Sequence, residues 1–181
     1  SEFPKLHSSP MNFPDRLRVV QARKDSLLCV GLDVDPQRLP SSLKRSRTGV
    51  FEFITAIVEA THDLVCAFKL QSSFYEALGS QGPEVLRKTV VCINDIAPDV
   101  PVILDAKRGD IGSTNAGYVS MAFEFLGVDA ITVNPYFGAE ALRPFLERSN
   151  KGILVLCRTS NPGADEFQDL PVSIRDDGGH R

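Results

Sequence analysis

Asp105, Lys107 and Asp110 lie close together in the stretch 102–114, VILDAKRGDIGST. The apolar run that opens it has the composition of a β-strand, in which successive side chains alternate between faces. Ile103, Asp105 and Lys107 therefore point one way, and Val102, Leu104 and Ala106 the other. A carboxylate and an ammonium share a face at the carboxyl end of that strand. Gly109 permits a turn, Asp110 leaves it, and Ser113 or Thr114 can cap the helix that follows. An ammonium held between two carboxylates keeps its proton and is positioned to donate it. The same spacing also describes a solvated surface ion pair, which contributes little. Two features argue for a site instead. The strand is too apolar for a solvent-facing sheet, and a second strand brings another lysine to its end.

That second strand spans 65–71, with Ala67, Lys69 and Gln71 on one face and Cys66, Phe68 and Leu70 on the other. A lysine on an inward face is costly unless paired. Asp33 and Asp105, at neighbouring strand ends, are its expected partners. The first strand spans 27–36, with Cys29, Gly31 and Asp33 on one face, and Asp35-Pro36 breaks it. A fourth, 128–136, carries Ala130, Thr132 and Asn134 on one face, and a fifth, 153–158, leaves through the polar loop 159–163. Apolar residues at helical spacing predict a helix over 51–64, and helices are also expected over 13–23, 83–96, 114–126 and 139–148, with Gly127 ending the fourth.

Strands and helices alternate every 25 to 30 residues or so, which predicts an α/β fold with a parallel sheet and right-handed crossovers. Strongly polar residues gather only at strand carboxyl ends: Asp33, Lys69, Asp105, Lys107, Asn134 and Ser160. Such a ring is what a (β/α)8 TIM barrel offers its substrate. A doubly wound open sheet is the runner-up, but no glycine-rich dinucleotide or P-loop motif is present. Only the first five β/α units are evident. A complete barrel needs about 250 residues, so about three units are missing and the chain reads as truncated. Residues 1–10 read as a tag or flexible arm, 11–170 as the partial barrel domain, and 171–181 as a loop or truncated tail.

The chain has 181 residues, net charge -3 and 43% hydrophobic residues, which suits one soluble globular domain. Mild acidity offers no electrostatic case for nucleic acid or an anionic membrane. No run is long enough to span a bilayer, and no secretory leader opens the chain. Cys29, Cys66, Cys92 and Cys157 lie scattered in apolar runs, which predicts buried free thiols in a reducing, cytoplasmic setting. The three histidines form no ligand cluster, so no metal is expected. Lys44, Arg45 and Arg47 read as a solvated loop rather than a phosphate grip.

The stretch 105–114, DAKRGDIGST, resembles the D-x-K-x-x-D-I signature of the orotidine 5′-monophosphate decarboxylase family. Gly31-Leu32-Asp33 and Phe68-Lys69 resemble that family's first two strand ends. Residues 133–138 and 157–163 are similar to its bacterial type 2 branch. The resemblance covers about residues 13–170. It implies decarboxylation of orotidine 5′-monophosphate to uridine 5′-monophosphate without a cofactor. By motif, Lys69, Asp105, Lys107 and Asp110 form an alternating charge network, with Lys107 protonating C6 as carbon dioxide leaves. Asp105 holds Lys107, and Lys69 and Asp33 contact the ribose. Asp110 and Thr114 reach the neighbouring subunit's site, which implies a homodimer, and Ser160 contacts the pyrimidine edge. The family's phosphate grip comes from late strands that this chain lacks. The 181-residue polypeptide alone is therefore expected to be inactive or incompletely folded.

Three other readings compete. A magnesium-dependent sugar-phosphate decarboxylase or aldolase of the same suprafamily needs a carboxylate ligand where this chain has Lys69. A non-catalytic barrel fragment serving as an oligomerisation module would use the same charges as a structural network. A Schiff-base aldolase is disfavoured, because a lysine paired to carboxylates is a poor nucleophile.

Overall fold

The first helix is begun by local chemistry at its amino end. In the computed structural model, which describes residues 11–46 and 48–171, the Asn12 side chain accepts from the Asp15 N–H at 3.0 Å and so caps α1 (Phe13–Lys24). Pro14 sits in the first turn, where a missing N–H costs nothing, and Asp25 closes the helix in the left-handed region. The Arg16 guanidinium ties α1 to the Asp129 carboxylate at 2.6 Å and to the carbonyls of Pro98 and Asp99. The Asp129 carboxylate also accepts the Val102 N–H at 2.9 Å. The helix thus lies at the amino ends of the strands. Gly152 is required there: a Cβ would meet the Phe13 ring at 2.4 Å and Ala130 at 2.7 Å.

Five strands follow in sheet order equal to chain order, all parallel: β1 (Cys29–Gly31), β2 (Ala67–Gln71), β3 (Val102–Arg108), β4 (Ala130–Val133) and β5 (Gly152–Val155). Between them run α2 (Gly49–Thr61), α3 (Ser72–Glu76), α4 (Gly82–Ile96), α5 (Gly112–Val119) and α6 (Gly138–Leu146), with α7 (Asp165–Gln168) after β5. The period-two pattern of the strands decides which face packs. Phe68 and Leu70 of β2 and Val102 and Leu104 of β3 are fully buried, in one core with Ile54 and Val58 of α2 and Val90 and Ile93 of α4. Each such side chain contributes about 1.5–3 kcal/mol of hydrophobic burial. The opposite face of β2 carries Lys69 and Gln71, both half-buried.

Several local expectations need correction. β1 stops at Gly31, because the Asp35 carboxylate takes the Gln37 N–H at 2.8 Å and starts a 3-10 turn, Pro36–Arg38. β4 and β5 are likewise shorter than their apolar runs. α3 was not anticipated; Gln71 caps it by accepting the Ser73 N–H. Neither Ser113 nor Thr114 is a cap. The N-cap of α5 is Ile111, and both hydroxyl residues lie inside the helix, which begins two residues earlier than expected. Residues Ser120–Leu126 continue α5 as a π-helix, closed by Gly127 at φ 75°. Of the four thiols, all free, only Cys66 is buried and Cys92 is half-buried. Cys29 and Cys157 are exposed, because they lie on or just beyond the outermost strands β1 and β5. Lys44 and Arg45 are exposed on a turn. Arg47, the proposed arm 1–10 and the tail from 172 onward lie outside the described residues. No described helix is long and apolar enough to cross a membrane.

Candidate active site

The carboxyl end of β3 is irregular, and the irregularity builds the site. The β3–β4 ladder pairs Leu104 with Ile131, then resumes at Arg108 opposite Val133. Asp105, Ala106 and Lys107 therefore share a single opposing residue, Thr132. This is a bulge, a common device for re-aiming side chains beside active sites. Lys107 pays for it with φ 47°, a left-handed conformation that costs a non-glycine residue about 1–2 kcal/mol. The N–H groups of Ala106 and Lys107 both donate to Thr132 Oγ1, each at 2.9 Å. Arg108, the next residue, turns to the helical side, where it pairs with Glu76 and lies over the Tyr118 ring at 5.2 Å. Lys107 instead reaches Asp105.

Four charges alternate along the strand ends. Asp33 lies 3.1 Å from Lys69 Nζ, Lys69 lies 3.6 Å from Asp105 Oδ2, and Lys107 Nζ donates to Asp105 Oδ1 at 2.7 Å. The Asp105 side chain is the most sheltered, at 14% exposed against 31% for Lys69 and 45% for Lys107. Two amines thus flank a nearly buried carboxylate. Thr132 Oγ1 donates to the same Oδ1 at 2.9 Å, and Gln71 Nε2 to Oδ2 at 3.3 Å. The Gln71 N–H donates to Asp33 at 3.1 Å. Burial alone pushes the Asp105 carboxyl up. The hydrogen bonds from Lys107 and Thr132, with the charges of Lys107 and Lys69, outweigh it and hold the group below its ordinary 3.8.

Asp33, Lys69, Asp105 and Lys107 are therefore brought together, and Asp110 is not. Its carboxylate folds back on the Ile111 N–H at 2.6 Å, its carbonyl accepts from Asn115 at 2.7 Å, and it forms no ion pair among the described residues. Within one chain the fourth member of the alternation is Asp33. Thr114 lies half-buried in the first turn of α5. Ser160 is exposed on the loop after β5 and makes no hydrogen bond to the cluster among the described residues. Sequence reasoning passed over Thr132 and Gln71. Their only signal was a polar residue on the same strand face as the charges. No described group of three His, Cys, Asp or Glu side chains is arranged to hold a metal ion.

A parallel α/β sheet whose charged side chains converge at the strand carboxyl ends has the arrangement of a barrel enzyme. The five strands form part of such a (β/α)8 barrel. The chain belongs to the Orotidine 5′-phosphate decarboxylase / HUMPS family, whose model matches residues 26–177. It is 52% identical over 158 residues to the orotidine 5′-phosphate decarboxylase of Herpetosiphon aurantiacus, covering 87% of this chain and 58% of that protein. The corresponding protein of Thermomicrobium roseum is 52% identical over 162 residues, covering 90% of this chain and 57% of that one. The structure of Leishmania donovani OMP decarboxylase superposes with a TM-score of 0.78 at 37% identity, over 90% of this chain and 60% of that one. The chain thus spans less than three-fifths of the length of the two bacterial relatives.

Proposed function

We propose that the complete protein decarboxylates orotidine 5′-monophosphate to uridine 5′-monophosphate in pyrimidine nucleotide synthesis. The observation that carries this is the alternation Asp33, Lys69, Asp105, Lys107 at the strand ends of a chain belonging to that family. The bond between C6 and its carboxylate breaks, and the electron pair stays on C6. A vinyl carbanion is too basic to form free in water, so the site must stabilise charge where it develops. The Lys107 ammonium does this and delivers its proton to C6 as carbon dioxide leaves; the neutral amine then recovers a proton from water.

In this reading Asp105 holds Lys107 and stands beside the departing carboxylate. Lys69 and Asp33 contact the ribose hydroxyls, and Ser160 the pyrimidine edge. Asp110 and Thr114 serve the site of the neighbouring subunit in a homodimer. That Asp110 pairs with no lysine of its own chain among the described residues supports the last assignment. Binding of the remote phosphate supplies stabilisation realised in the transition state. The reaction uses no resident cofactor. Four free thiols favour a cytoplasmic setting.

The test is Lys107→Ala in the complete protein, followed by loss of orotidylate absorbance. The rate should fall by at least about 10²–10⁴-fold, the range of a positioned general acid, and EDTA should leave the unmodified enzyme's rate unchanged. An intact rate in the variant rejects the role of Lys107. Loss with EDTA, restored by magnesium, points to sugar-phosphate chemistry.

A further inference from the structure

We propose that Thr132 is the positioning residue for the Asp105–Lys107 pair, its hydroxyl standing in for the backbone ladder where β3 bulges away from β4. This inference rests on the decarboxylase reading above and adds to it a residue outside the D-x-K-x-x-D stretch. A hydroxyl has two acceptor lone pairs and one proton. Both acceptor positions of Thr132 Oγ1 are taken, by the N–H groups of Ala106 and Lys107 at 2.9 Å. Its proton then has one acceptor left, Asp105 Oδ1 at 2.9 Å. The direction of that hydrogen bond is fixed by exhaustion of the alternatives. Oδ1 is thus the acceptor for Thr132 Oγ1 and also for Lys107 Nζ, the latter at 2.7 Å.

One atom therefore does three things. It satisfies two consecutive N–H groups that the bulge removes from the ladder. It holds Lys107 in its left-handed backbone conformation. It fixes the rotation of the Asp105 carboxylate, so that Oδ1 serves Lys107 while Oδ2 faces Lys69 and Gln71. The β-branched side chain of threonine has a restricted χ1, which holds the hydroxyl in one direction. Serine keeps the hydroxyl with more freedom. Valine keeps the shape and loses every one of these bonds.

The experiment compares Thr132→Val and Thr132→Ser in the complete protein, by steady-state decarboxylation and by crystal structure. Thr132→Val should lower kcat by about ten- to a hundredfold, the effect of losing a hydrogen bond to a charged group. KM should move less than about twofold, since Thr132 meets the charge pair and not the substrate. Thr132→Ser should stay within about threefold of the unmodified enzyme. In the valine structure, Lys107 should leave the left-handed region or lose its contact with Asp105. A valine variant with unchanged kcat, a serine variant as impaired as valine, or a valine structure with both side chains in place would each overturn the inference. Should valine prevent folding, Thr132→Ala is read by the same criteria, with Thr132→Ser as the rescue. An unmodified protein that fails to turn over orotidylate rejects the decarboxylase reading instead. The positions of Asp105 and Lys107 in the valine structure then still decide the role of Thr132.

Discussion

Gly109→Ala is a severe test of how the β3 turn is packed. A Cβ at Gly109 would lie 2.5 Å from the Asn134 carbonyl oxygen, 3.0 Å from its Cβ and 3.3 Å from its carbonyl carbon. The nearest approach is about 0.9 Å short of ordinary contact. The Asn134 backbone has little room to retreat, because its N–H donates to the Arg108 carbonyl at 2.8 Å and a turn closes behind it from Gly138 to Pro135 at 2.8 Å. The 109–110 turn must therefore yield, and with it the backbone just after Lys107. Overpacking of this kind costs about 1–3 kcal/mol, which lowers the melting temperature of a domain this size by about 2–12 °C. A typical stability of about 5–15 kcal/mol leaves the protein folded at 25 °C. Activity should suffer more, because displacing reacting groups by about 1 Å can cost about a hundredfold in rate. Thermal melting and kcat of the complete protein, measured side by side, check both numbers. A variant melting within about 1 °C of the unmodified protein, with kcat within about twofold, would refute the packing argument.

Two further outcomes are expected. Asp105 is held below 3.8 in the folded state, since the hydrogen bonds and positive charges around it outweigh the upward push of burial. A depressed carboxyl stabilises the fold above that pH and loses its contribution as pH falls through the folded value. The stability difference between the unmodified protein and Asp105→Asn should be constant from pH 7 down to about pH 4 and shrink at lower pH, by urea unfolding; a difference that widens on acidification contradicts the sign. Asp129→Ala should remove the tie between α1 and the strand amino ends, where one carboxylate receives Arg16 at 2.6 Å and the Val102 N–H at 2.9 Å. The denaturation midpoint should report a loss of about 1.5–3 kcal/mol, with kcat per folded molecule unchanged, because the change is at the end of the sheet remote from Lys107.

Much of the site was legible from residue order. Alternation along β2 and β3 placed Lys69 and Asp105 on one face, and the cost of an unpaired inward lysine named Asp33 and Asp105 as partners before any distance was known. The packing of Phe68 and Leu70 away from the charges followed from the same alternation, and the parallel sheet followed from the regular succession of strand and helix. Other features were hidden. Simple alternation does carry Lys107 to the face of Asp105, but it cannot reveal that a bulge and a left-handed residue bring the two side chains together. The N-cap of α5 was misassigned, because Asp110 and Ile111 settle the helix start before Ser113 and Thr114 are reached.

By itself the sequence determined which side chains could meet, because a strand's period of two is a property of the backbone and needs no neighbour. Only the tertiary structure decided which of them do meet. Thr132 comes to Asp105 from a strand 27 residues further on, Asp110 turns away from a lysine three residues before it, and Arg108 leaves the face that Lys107 joins. Those outcomes depend on the offset between two paired strands, and a ladder's offset is set by the packing of both partners together.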